Sequence, residues 1–209
     1  SRNVIRDHFT YEFVGIAVAQ NQGTIEVSGN RIYNVNNACG NCANTRFTGI
    51  ESRGEIPQST VKIRNNMISF DPLLPNQWTM TGIYDRRRAG TLELWHNTIL
   101  MSGTASQWHS WGFRRGTNSA VNVSMFGNIF FNDRTGGGSS FAVGDQSNGA
   151  GSWVSDYNLY LGAGETPQNY FDRGADDLGT PVDFAGWAAG TSRDVHSIAS
   201  VVENGQFTV

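Results

Sequence analysis

Lysine is almost missing from this chain of 209 residues: Lys62 stands alone, and the other 14 of its 15 basic residues are arginine. Charged residues make up only 16%, and 18 acidic groups leave a net charge of −3. That balance argues against a general nucleic-acid binder, although local Arg clusters are compatible with it. There is no run of about 18 apolar residues, so no membrane-spanning helix is expected. Nor does a basic segment lead into an apolar one, so no signal peptide is expected in these residues. Two cysteines are too few to staple a scaffold. Helix formers do not dominate. Gly (25) and Asn (20) do, and both favour turns. With 38% hydrophobic and 11% aromatic residues there is enough material for a core. A chain of this length is expected to form one domain, turn-rich and all-β.

A repeat decides the architecture. The segments Ile25–Ile32, Val61–Ile68, Leu92–Ile99, Val123–Phe130 and Trp153–Tyr160 each carry an Asn, at 30, 66, 97, 128 and 158. In all five an apolar residue stands five before the Asn and another stands two after it. Asn3-Val4-Ile5 reads as the tail of a further copy. Each copy predicts a strand, a one-residue turn and a second strand, with apolar residues alternating toward a core. An Asn at the bend tolerates left-handed backbone angles. Its amide can also bond the Asn one coil above and one below, which satisfies polar groups that stacking would bury.

A second series keeps step with the first: Gly15–Gln20, Gly49–Gly54, Gly82–Arg87, Gly112–Thr117 and Ala142–Ser147. Two series in phase at roughly 30 residues predict a solenoid whose coils stack only on their neighbours. Over residues 1 to about 163 the pattern resembles the right-handed parallel β-helix of the pectate-lyase-like superfamily. Ser155–Tyr160, Asp183–Trp187 and Asp194–Ile198 are similar to the end segment of secreted bacterial members. There an Asp-Pro-aromatic segment usually follows His-Ser, whereas Ala199–Glu203 stands here. The expected fold is therefore about five coils (1–163), then a loop, a short helix within 182–189 and a capping segment (164–209). Asn3 is already in mid-coil and no capping helix precedes it. That predicts either a C-terminal portion of a longer chain or an edge that packs end to end on another chain.

Alternation along the second series turns Ile16, Ile50, Ile83, Phe113 and Val143 inward. Ala17, Glu51, Tyr84, Arg114 and Gly144 turn outward. So do Ala19, Arg53, Arg86, Gly116 and Gln146, with Arg87, Arg88 and Arg115 at the edge. At a spacing near 4.8 Å, Glu51, Arg53, Tyr84, Arg86 and Arg114 fall on one face, within about 10 Å. Arg forks match carboxylates, and a Tyr ring can stack on a sugar. In the polysaccharide lyases that the repeat resembles, substrate lies along such a sheet. An Arg or Lys takes the proton beside a uronate carboxylate, often with Ca²⁺ neutralising it. The resemblance thus implies Arg86 and Arg114 as catalytic residues. It implies Glu51, Arg53, Tyr84, Arg87, Arg115 and His109 as substrate-binding residues, an acidic polysaccharide as partner and Ca²⁺ as a candidate cofactor. It also implies a secreted or cell-surface location. Binding without cleavage, or a solvated face of ion pairs, fits the same residues, because Arg is hard to deprotonate. The competing class is a non-catalytic surface, adhesin-like or self-assembling structural protein.

Other features carry less. Asp85 and Asp145, with Arg115 between them, read either as an Asp–Arg–Asp ladder or as a carboxylate pair for inverting hydrolysis. The ladder is the better reading, since an adjacent Arg keeps an acid ionised. Trp78, Trp95, Trp108 and Trp111 predict inter-coil packing or a sugar-binding wall. Cys39 and Cys42 predict a local loop disulfide. With His8, His96 and His196 they form no metal-ligand set. Asp172, Asp176 and Asp177 are loop carboxylates that Ca²⁺ could use, but they match no EF-hand spacing.

Overall fold

Each repeat folds as one coil of short strands, and like strands of successive coils pair in parallel into three long sheets and one two-stranded sheet, Thr104–Ala105 with Thr135–Gly136. The computed structural model describes residues 2–10, 12–19, 22–37, 46–70, 79–105, 108–136, 138–147, 150–162, 171–173, 181–189, 193–203 and 206–208. The front sheet contains the second repeat series: Phe13–Ala19, Arg46–Arg53, Thr79–Asp85, Ser110–Arg115, Ser140–Asp145 and Phe171–Asp172. The second sheet contains Thr24–Ser28, Thr60–Arg64, Thr91–Trp95, Asn122–Phe126 and Trp153–Asp156. The third runs from Val4–Thr10 through Arg31–Asn37, Met67–Phe70, Thr98–Met101, Ile129–Asn132 and Leu159–Gly162 to Ile198–Glu203. The fold is thus an all-β parallel solenoid. Five strands stacked in the second sheet mark four full turns, slightly fewer than the five coils read from the repeat.

Register follows the repeat residue by residue. Ile32, Ile68, Ile99, Phe130 and Tyr160 stand in one column of the third sheet, all wholly buried. Ile50, Ile83, Phe113 and Val143 form the matching column of the front sheet. Each such side chain contributes about 1.5–3 kcal/mol of burial. Gly49, Gly82 and Gly112 lie inside the front strands, where there is no room for a side chain. A Cβ there would lie 2.5–2.6 Å from the carbonyl of the next coil and would strike Ile68, Ile99 or Phe130.

The bend between the second and third sheets has two residues, not one. The left-handed angle falls on the residue before each ladder Asn: Gly29, Asn65, His96, Gly127 and Tyr157, at φ between 55° and 68°. The Asn itself is left to bond. Asn66, for example, donates both its backbone N–H and Nδ2 to Oδ1 of Asn97, at 3.1 and 3.0 Å. Its Nδ2 also reaches the Val27 carbonyl at 2.9 Å. The same pattern joins Asn3 to Asn30, Asn30 to Asn66, Asn97 to Asn128 and Asn128 to Asn158.

The ladder ends on a carboxylate. Asn158 donates its N–H to Ser197 Oγ at 2.8 Å and Nδ2 to Asp194 Oδ1 at 3.2 Å. Asp194 also accepts from Tyr160, Ser197, Ser155 and Trp187. The expected short helix is Phe184–Ala188, capped by Asp183, and it lays Trp187 against Trp153 and Phe171. Two antiparallel strands, Pro181–Val182 and Gln206–Thr208, turn back over the front and third sheets. At the opposite end Ile5, Ile16 and Ile25 are only partly buried, and the first strand of each sheet pairs on one side among the described strands.

Candidate functional site

The outer face of the front sheet begins where alternation places it. In register, Ala17, Glu51, Tyr84, Arg114 and Gly144 form one outward column. Its centre is Glu51, whose side chain is wholly buried under three guanidinium groups. Arg53 Nη2 donates to Oε2 at 2.5 Å, Arg86 Nη1 donates to Oε1 at 3.0 Å, and Arg46 Nη2 lies 3.6 Å from Oε2. Burial alone would raise the Glu51 pKa. The hydrogen bonds from Arg53 and Arg86, with the charges of Arg46 and Arg53, outweigh it and hold the carboxyl below its ordinary value. Three cations against the two carboxylates of Glu51 and Glu12 leave a local excess of positive charge. The side chains of Arg53 and Arg86 are each 43% exposed, so that excess faces solvent.

Tyr84 extends the cluster. Its ring is half-buried, with Arg86 Cζ 5.6 Å and Arg114 Cζ 4.9 Å from the centroid. It reaches over Gly116, where an added Cβ would lie 3.3 Å from Tyr84 Cε2. Arg114, expected as a catalytic residue, is almost fully buried. Its Nε donates to Gln146 Oε1 at 2.8 Å, and its guanidinium covers Trp111 at 4.3 Å. Gln146 and Trp111 in turn both donate to Asp172 Oδ2, at 2.9 and 3.0 Å. Asp172, read as a loop carboxylate for Ca²⁺, serves this network. Asp176 and Asp177 lie outside the described residues. Among the described residues no three His, Cys, Asp or Glu side chains gather as metal ligands.

The chain matches no protein-family model, no curated protein and no solved structure.

Three expected members of the site stand elsewhere. Arg87 and Arg115 point into the solenoid, not to the sheet's edge. Arg87 Nε bonds Asp85 Oδ1 at 2.8 Å. Arg115 bonds both oxygens of Asp145, at 2.8 and 2.7 Å, and the Val121 carbonyl at 2.8 Å. The column is thus two separate Asp–Arg pairs, with Asp85 on Arg87 and Asp145 on Arg115. Both aspartates are interior, so they do not face a substrate. His109 accepts from the Ser139 N–H at 3.0 Å and packs on Trp111 and Phe141, away from the Arg53–Arg86 pair. The tryptophans do not form one wall. Trp111 is buried on the front sheet, Trp95 lies under Lys62 on the second sheet, and Trp108 is 37% exposed. Trp78, Cys39 and Cys42 lie outside the described residues.

Arg46 and Gln146 were not anticipated in these roles. Arg46 stands five residues before Glu51 on one strand, an odd separation that plain alternation assigns to opposite faces. Gln146 was placed outward by register, but nothing in its type announced the bridge to Asp172.

Proposed function

We propose that this protein binds an acidic polysaccharide along the outer face of its front sheet, as a secreted carbohydrate-active protein of the pectate-lyase-like kind it resembles. The observation that carries the reading is the solvent-facing pair Arg53 and Arg86, held one coil apart by Glu51 beside the half-exposed Tyr84. Planar forks of this type take carboxylates with two parallel bonds, and the Tyr edge offers a surface for a sugar ring. Cleavage is the finer part of the proposal. Of the two arginines expected to act on a proton, Arg86 is the one that reaches solvent. A charged guanidinium has no lone pair to accept a proton, so recognition is the stronger part of the reading.

Pectate, alginate and glycosaminoglycans, each with and without Ca²⁺, would be tested by affinity electrophoresis and by ultraviolet absorbance of unsaturated product. At least one acidic chain is expected to retard the protein. Replacing Arg53 and Arg86 together by alanine should weaken that binding by about tenfold or more, since a hydrogen bond to a charged group contributes about 1.5–3 kcal/mol. Unretarded migration with every acidic chain would overturn the proposal. Absence of product with retained binding would remove cleavage alone. Particle mass that grows with concentration, without polysaccharide binding, would point instead to assembly through the end where Ile5, Ile16 and Ile25 are partly exposed.

A further inference from the structure

Glu51 was expected to touch the substrate, yet it is wholly buried and, as an acid, would repel an acidic chain. We infer that Glu51 is the positioning residue of the face, spacing Arg53 and Arg86 to meet successive carboxylates of a linear uronate chain that lies along the solenoid axis. This rests on the acidic-polysaccharide reading. Arg53 comes from the coil of Glu51 and Arg86 from the next, so their anchor points are about 4.8 Å apart along the axis. Each guanidinium commits an N–H to a different oxygen of the same carboxylate, Oε2 for Arg53 and Oε1 for Arg86. Both are thereby turned with their remaining edges outward, at 43% exposure. Arg46 supports the arrangement from below, bridging Glu51 and Glu12. Without the carboxylate, like charges would push these flexible side chains apart, and ordering them again would fall to the ligand. The surroundings fit a chain running along the axis. On the first coil the column continues as Ala17 and Ala19, both exposed and short. Beyond Arg86 the Tyr84 ring crosses Gly116.

The test exploits a difference of sign. If the face attracts by net charge alone, Glu51→Gln adds one positive charge and should tighten binding. If Glu51 positions the arginines, the same change should weaken it by about tenfold. Hexagalacturonate would be titrated calorimetrically into the wild type, Glu51→Gln, Glu51→Asp and the Arg53→Ala/Arg86→Ala double variant. Glu51→Asp keeps the charge but shortens the reach by one methylene, and about threefold weaker binding is expected. Equal or tighter binding by Glu51→Gln, with the double variant impaired, would overturn the positioning role and leave polysaccharide binding standing. Should Glu51→Gln fail to fold, Glu51→Asp decides, and wild-type affinity there overturns the inference. Full affinity in the double variant would remove the binding reading and this inference together. No hexagalacturonate binding by the wild type would remove the inference, and the binding reading falls with it when alginate and glycosaminoglycans also fail to bind.

Discussion

Asp194→Ala is expected to destabilise the protein by at least about 4 kcal/mol, because each buried donor left without a partner costs about 1–3 kcal/mol. Five donors converge on this carboxylate. Tyr160, Ser197 and Asn158 reach Oδ1 at 2.8, 2.7 and 3.2 Å. Ser155 and Trp187 reach Oδ2 at 2.7 and 2.9 Å. Four of the five contacts are buried, and Asp194 is 2% exposed, so water cannot readily replace it. The buried hydroxyl of Tyr160 is also held well above its ordinary pKa, by burial first and then by the Asp194 charge. Urea unfolding should show the loss as a lower midpoint with little change in slope. Coils of a solenoid support only their neighbours, so damage should begin at this end. Hydrogen exchange should lose protection first over Ile198–Glu203 and Trp153–Gly162, and last at Thr79–Met101. Asp194→Asn keeps one acceptor and should cost less, about 2 kcal/mol. A loss under about 1 kcal/mol for the alanine variant would show that the helix and final strand hold without this latch.

Asp145→Ala is expected to cost about 3–5 kcal/mol, since it leaves the Arg115 charge buried and unpaired. Arg115 is wholly buried, and Asp145 is the partner for two of its nitrogens. Trp153, with its ring centroid 5.0 Å from Arg115 Cζ, can offset only part of that loss. Removing both charges as Asp145→Ala/Arg115→Met should recover much of the stability, because the pair also carries a desolvation cost. Glu93→Ala on the outer second sheet is the contrast. Its pair with Lys62 is partly exposed, and a change below about 1 kcal/mol is expected. Acid should mimic the Asp145 change. Burial raises the Asp145 pKa, but the Arg115 bonds and charge, with Ser147, bring it below the ordinary value near 3.8. Glu51 is likewise held below its ordinary 4.5. A folded-state pKa below the unfolded value means that the stabilisation is complete above the unfolded value. It is lost as pH falls through the folded value. The stability difference between the wild type and Asp145→Ala should therefore be steady above about pH 5 and shrink as pH falls below about 4, and a difference unchanged down to pH 3 would contradict the pairing.

Much of the architecture was legible because a solenoid repeats its instructions. An Asn at one offset in five coils is informative where a single Asn would not be. The paired columns of Ile32 with Ile68 and of Ile50 with Ile83 followed from the same phase. The glycine positions were visible too, though their cause, a backbone carbonyl 2.5–2.6 Å from any added Cβ, requires coordinates. Two kinds of residue escaped. Arg87 and Arg115 are charged, and charge argues for the surface until a partner is known. The Arg115 partner lies 30 residues away, on the next coil. Asp194 carries a positional signal of its own. It follows Asn158 by 36 residues, the interval that separates Asn30 from Asn66, and so stands in phase with the ladder. The face around Glu51 was half legible. Register placed the residues together, but which of them are covered depends on side-chain stacking across coils that alternation does not encode.

Arginine footprinting with phenylglyoxal, read by mass spectrometry with and without a saturating uronate chain, tests the central claim most directly. Arg53 and Arg86 should be modified in the free protein and protected in the complex. Arg64 on the second sheet and Arg88, paired with Glu55 at the surface, are also exposed and should react equally in both states. Unchanged reactivity at Arg53 and Arg86 in a protein that demonstrably binds, or protection confined to Arg64 or Arg88, would place the polysaccharide on another surface and contradict the account.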